Sequence, residues 1–136
     1  MSTTFSKEEK AAMRAAAAEA KAAKEGADLE AACLTAIAAM SGTDQELAET
    51  LHGLVAKHTT LAAKTWYGMP AYTNGDGKVI VFFQSAAKFK ARYATIGFQQ
   101  DANLDEGNFW PSSFAVTQLN AADQKRLVAL LEKAVG

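Results

Sequence analysis

The sequence is poor in most of the residues that announce a chemistry. Its 136 residues include one cysteine, Cys33, two prolines, Pro70 and Pro111, and two histidines, His52 and His58. A single cysteine excludes a disulfide framework and any cysteine-rich metal site, and fits a reducing, cytoplasmic setting. Fourteen Lys and Arg against fifteen Asp and Glu leave a net charge of −1, without the basic excess that nucleic acid requires. No apolar run approaches the roughly 20 residues that span a bilayer. The first residues, Met1-Ser2-Thr3-Thr4-Phe5, lack the basic and apolar regions of a signal peptide. Neither nucleic acid nor a membrane is therefore an expected partner. Also missing are a Walker loop, GxGxxG, HExxH, a nucleophile elbow and CxxC. Nothing in the motifs points to an enzyme or to a bound cofactor.

What is present is unevenly spread. Of 67 hydrophobic residues 30 are alanine, and fifteen of these lie between Ala11 and Ala39. The 37 larger apolar residues suffice for one modest core, so a single domain over residues 1–136 is expected. Ser6 and Glu9 form a capping-box pattern at the start of an alanine-rich helix over Lys7–Lys24, with Phe5 and Met13 as its only large anchors. Gly26 ends it, and Asp28 opens a second helix with an apolar stripe of Leu29, Cys33, Ile37 and Met40. Ser41-Gly42 closes that one, and Thr43 with Glu46 reads as another capping box. The helix that follows carries Leu47, Leu51, Leu54, Val55 and His58 on one face.

After Leu61 the period falls from 3.6 to 2 and aromatics appear. A strand over Thr65–Tyr67 is expected to break at Gly68-Met69-Pro70, because proline cannot donate to a ladder, and to resume at Ala71–Thr73. Asn74-Gly75-Asp76-Gly77 signals a hairpin turn. Val79–Phe83, uniformly apolar, reads as a central strand covered on both faces. Further strands are expected near Lys90–Phe98 and Phe114–Leu119, separated by a polar, acidic loop. Asn120 caps a last helix with Leu127, Leu130, Leu131 and Val135 inward. The predicted fold is α+β: an antiparallel sheet of about four to five strands, packed by N-terminal helices and one C-terminal helix.

Candidate functional residues gather in the second half. Trp66, Tyr67, Met69 and Tyr72 surround the expected break and could line a concavity. Phe109-Trp110-Pro111 repeats that make-up, and with Phe82, Phe83, Tyr93 and Phe98 these rings either wall an apolar ligand pocket or fill the core. Lys88, Lys90 and Arg92 alternate, so as a strand they project from one face. They either hold a carboxylate or phosphate or guard an edge strand against aggregation; such an edge favours a monomer. Asp101, Asp105 and Glu106 are oxygen ligands of a type that suits iron or calcium, but their spacing matches no EF-hand loop and a solvated loop is the simpler reading. His52 and His58 point to different faces of one helix and cannot share a metal. His58 and Cys33 sit on apolar stripes and read as packing, while His52 falls at a boundary or on the surface. No metal ligand set is assigned.

The segments TWYGMPAY, GKVIVFFQ, KFKARYATIGF, ANLDEG and FWPSSFAVTQL, with ETLHGLV upstream, resemble the YdhG-like bacterial domain family across about residues 44–136. Residues 1–40 form an alanine-rich extension to that core. The resemblance implies a small cytoplasmic α/β sandwich, and one branch of the family includes a frataxin-like iron chaperone, which makes iron a partner to consider. Such chaperones use acidic helices and strand edges; here Glu8 and Glu9 are flanked by Lys7 and Lys10. The leading expectation is a non-enzymatic binding protein for a small ligand, with an aromatic pocket at Trp66–Tyr72 and a basic rim of Lys88, Lys90 and Arg92 beside Tyr93 and Trp110. The alternatives are an iron-binding chaperone using surface carboxylates and a protein–protein adaptor working through the N-terminal helix.

Overall fold

The computed structural model describes residues 6–24 and 28–136; the expected anchor Phe5 and the expected helix stop Gly26 lie outside the described residues. Helices α1 (Lys7–Lys24), α2 (Leu29–Ala38) and α3 (Gly42–His58) lead into strands β1 (Ala62–Trp66), β2 (Met69–Thr73), β3 (Val79–Gln84), β4 (Ala94–Phe98) and β5 (Ser113–Val116), and α4 (Ala121–Val135) follows. The strands form one antiparallel meander in the order β1-β2-β3-β4-β5, so the fold is α+β and β3 lies at its centre.

Local signals account for most of the helices. Ser6 and Glu9 bond reciprocally to each other's backbone N–H at the start of α1, and Asn120 and Asp123 do the same for α4. The Asp28 carboxylate caps α2 by accepting from Ala31 N–H at 3.1 Å. The third expected cap does not form. Helix α3 begins at Gly42, with Ser41 as an N-cap that makes no side-chain bond, and this places Thr43 inside the first turn. The stripes of α2 and α3 face the sheet, burying Cys33, Ile37, Leu47, Leu51 and Val55. Two inward assignments are corrected: Met13 and Val135 are both 45% exposed, and Ala134 is buried in place of Val135.

Strand register decides which side chains share a face. Tyr72 pairs with Val81, and Phe83 pairs with Ile96; these side chains join Phe98, Leu51 and Leu131 in one buried cluster beneath the helices. Burying each of the largest fully is worth roughly 1.5–3 kcal/mol. On the opposite face Phe82 pairs with Gly97, and its ring leaves no room for a Cβ there.

The connections differ most from expectation. The expected break falls at Tyr67-Gly68 rather than across Gly68-Met69-Pro70, and Met69 and Pro70 already belong to β2. Tyr67 and Gly68, with φ of 51° and 81°, form a two-residue turn that pairs Trp66 with Met69 and Thr65 with Pro70. The β2–β3 register begins only at Ala71, so Pro70 has no rung to lose on that side. In the next turn the Asn74 side chain accepts from the N–H groups of Asp76 and Lys78, and the positive φ falls on Gly77 rather than on Gly75. The expected strand over Lys90–Phe98 starts only at Ala94, after a 3₁₀ turn over Ala87–Phe89 closed by Lys90 at φ 53°. In the long β4–β5 loop Asp101, Asp105 and Glu106 are exposed, as expected, but apolar residues between them turn inward. Ala102 and Leu104 are buried, and Asn103 N–H donates to Ala134 C=O at 2.9 Å.

Candidate functional site

The expected aromatic pocket does not assemble as one wall. Because Tyr67-Gly68 is a turn, Trp66 and Tyr72 project from opposite faces of the sheet by the period-2 alternation of β1 and β2. Trp66 packs on Tyr67 and Phe82, with ring centroids 5.1 and 5.4 Å apart. Trp110 is half-buried and precedes β5, at the sheet edge opposite β1, while its neighbour Phe109 is 91% exposed. The basic triple is also rearranged. Lys88 lies in the 3₁₀ turn, Lys90 at its left-handed end and Arg92 in the loop beyond, so the three share no strand face. The Arg92 guanidinium lies over the Tyr93 ring at 5.2 Å. Strand β4 has partners on both sides, so these charges guard no edge and the argument from them for a monomer falls away.

What the fold does bring together is a cleft of about 360 Å³ at the end of the sheet where the β1–β2 turn, the C-terminus of α2 and the 3₁₀ turn meet. Its apolar wall includes Met40, Met69 and Phe83, and its polar part includes Gly68, Asp44 and Lys88. Two devices hold this geometry. Asp44, in the first turn of α3, is buried, and its carboxylate accepts from Ala86 N–H at 2.9 Å and Ala87 N–H at 3.0 Å. A carboxylate with both oxygens engaged in this way pins the 3₁₀ turn to α3 and thereby sets where Lys88 stands. The second device is the β1–β2 turn itself. Its two N–H groups point outward as an anion-binding corner, and the Glu19 carboxylate of α1 fills it: Tyr67 N–H donates to Oε1 at 2.8 Å and Gly68 N–H to Oε2 at 3.0 Å. The Lys88 ammonium stands beside this corner, 3.0 Å from the point a Cβ on Gly68 would occupy. It is the positive φ that reserves position 68 for glycine, since the Lys88 tip is free to swing aside. Tyr67 holds a left-handed conformation that is uncommon for a side chain of its bulk, and the bond to Glu19 supports it.

A second cluster lies under α2 and α3. The Tyr72 hydroxyl is 3.0 Å from His52 Nδ1 and 4.0 Å from Cys33 Sγ, at a hollow of about 330 Å³ that is also lined by Glu30 and Lys64. Burial pushes the Cys33 thiol up; the bond to Tyr72 opposes this more weakly. Burial also pushes the Tyr72 phenol far above its ordinary range, with the neighbouring Cys33 adding to it. Both groups keep their protons at neutral pH, and the Tyr72 hydroxyl stands within hydrogen-bond reach of both Cys33 Sγ and His52 Nδ1. A fully buried, neutral thiol is a poor nucleophile, and this chain of bonds ties α2 and α3 to β2.

Among the candidates named from sequence, Met69 and Lys88 line the cleft, Tyr67 supplies one N–H at its mouth, and Tyr72 belongs to the second cluster. Trp66, Lys90, Arg92, Tyr93 and Trp110 line neither. Sequence reasoning missed Met40, Asp44 and Glu19 as site residues, while Phe83 was among the rings expected either to wall a pocket or to fill the core. Gly68 lay inside the singled-out stretch, but Glu19 is one acid in an alanine tract and carries no local signal. Among the described residues, no group of three or more His, Cys, Asp or Glu side chains could hold a metal ion, and no helix is long and apolar enough to cross a membrane. No family model, curated protein or solved structure matches the chain.

Proposed function

We propose that this protein binds a small amphipathic anion, a carboxylate on an apolar chain or ring, in the cleft between the β1–β2 turn, α2 and the 3₁₀ turn. One observation carries the reading: the Tyr67 and Gly68 N–H groups already hold a carboxylate, that of Glu19, where Gly68 lines an apolar cleft and the Lys88 ammonium stands 3.0 Å from the point a Cβ on Gly68 would occupy. A ligand carboxylate would take the same two donors and the Lys88 charge, while its apolar part would lie against Met40 and Met69, which are only partly buried. Few polar groups at one end of an apolar hollow is the usual make-up of a small-molecule site. The reading keeps the chain with the YdhG-like family on its motifs, whose Gly68-Met69 pair forms one wall of the cleft.

The test is a titration with octanoate and 3-phenylpropionate, followed by amide and methyl chemical shifts. Both should move the Gly68 amide and the Met40 and Met69 methyl signals, whereas octanol and acetate should bind at least tenfold more weakly. Lys88→Gln should weaken octanoate about fivefold to tenfold, as loss of one partly exposed charge contact of about 1 kcal/mol implies. Failure of both anions to shift these signals, or equal octanoate binding by the Lys88→Gln protein, would overturn the proposal.

A further inference from the structure

We infer that α1 is an intramolecular competitor for the cleft, and that ligand binding at the β1–β2 turn releases it. The inference rests on the binding reading above and names the regulation of that same site. Glu19 satisfies the Tyr67 and Gly68 N–H groups with the chemistry a ligand carboxylate would use, so the two cannot hold the turn together. The rest of the α1 attachment is light. Over Lys7–Lys21 no side chain is fully buried, and Met13, the largest apolar residue there, is half-exposed. Its close approach to the turn is at Ala15, whose Cβ lies 3.5 Å from the point a Cβ on Gly68 would occupy. An alanine-rich helix keeps much of its helical preference when it undocks, because its stability rests on backbone propensity rather than on tertiary burial. Glu19 is therefore placed like a plug: bonded at one point, on a segment the core does not need. A ligand that binds only the undocked state has its apparent affinity reduced by the docked fraction, and removing the plug restores it.

The experiment uses the full chain and octanoate as the probe. Glu19→Gln keeps the shape of the side chain but presents an NH₂ to one of the two N–H donors. Ala15→Gln adds uncharged bulk against Gly68 and pushes α1 away without altering Glu19 or setting a carboxylate beside Lys88. Both variants should tighten octanoate binding about tenfold. In the wild type, saturating octanoate should speed hydrogen exchange of α1 amides while leaving those of β3 and β4 protected. Unchanged or weaker octanoate binding in both variants, with Lys88→Gln still weakening it, would overturn the competition and leave the binding site standing. Loss of the Lys88 effect in the same series would overturn the site itself.

Discussion

Asp44→Ala tests whether a single buried carboxylate organises the cleft. Asp44 is 8% exposed and accepts two backbone N–H bonds, at 2.9 and 3.0 Å, from a turn that follows it by more than forty residues. Each hydrogen bond to a charged group is worth roughly 1.5–3 kcal/mol. Its place in the first turn of α3 adds about 0.3–1 kcal/mol through the helix dipole. Ala86 is half-buried and Ala87 exposed, so water recovers part of the loss at the turn. A net cost of about 2–4 kcal/mol is expected, which at roughly 3 °C per kcal/mol for a domain of this size lowers the thermal midpoint by about 6–12 °C. Equilibrium urea unfolding measures the free energy, and the amide shifts of Ala86 and Ala87 report the lost bonds. Lys88 then loses its fixed position, so octanoate binding weakens as well. Asp44→Asn should fall between the two proteins, because its amide oxygen still accepts while its NH₂ opposes one donor. A stability within 0.5 kcal/mol of wild type, with the Ala86 and Ala87 shifts unchanged, would refute the reasoning.

Two further predictions concern the other cluster and the turn. The Cys33 thiol and the Tyr72 phenol are both raised by burial, so at alkaline pH an unfolded chain has released protons that the folded one retains. Stability is then at its full value below about pH 8.5 and falls as pH rises through 9 and 10, by up to about 1.4 kcal/mol per pH unit for each group. Urea midpoints between pH 8 and 11 should show that fall, with a shallower slope above pH 10 in Tyr72→Phe; a flat wild-type profile would contradict the burial argument. Gly68→Ala forces a Cβ into a φ of 81°, at a cost of about 1–2 kcal/mol. The contact it makes is with the far end of Lys88, which can swing aside, so a loss above about 3 kcal/mol by urea unfolding would mean that the turn is held more rigidly than its contacts imply.

Much of the fold was legible because it is written locally. The stripe of Leu47, Leu51 and Val55, the Asn120 cap and the apolar run of β3 each concern residues a few positions apart, and the structure keeps all three. The errors fell where two local rules compete. Gly68-Met69-Pro70 reads as a break under the rule for proline, yet the β2–β3 register begins one residue later and leaves Pro70 without a missing rung. Lys88, Lys90 and Arg92 alternate as strand residues do, but the N–H groups at Ala86 and Ala87 find the Asp44 carboxylate instead of a neighbouring strand. Likewise, Thr43 and Glu46 match a capping box that does not form, because the cap falls at Ser41 and the helix starts at Gly42, two residues before the Asp44 that a Thr43 cap would put first.

The amino-acid sequence by itself determined the helices, the central strand, the antiparallel meander and the α+β class, since periodicity and capping are settled within one or two turns of chain. Only the tertiary structure decided the cleft and the buried thiol–phenol–imidazole chain. Cys33 meets Tyr72 across 39 residues, Asp44 meets Ala86 across 42 and Glu19 meets Tyr67 across 48. No repeat or spacing rule relates positions that far apart. They are neighbours because the sheet register and the seating of the helices bring distant elements into contact, where polar groups taken out of water must find partners.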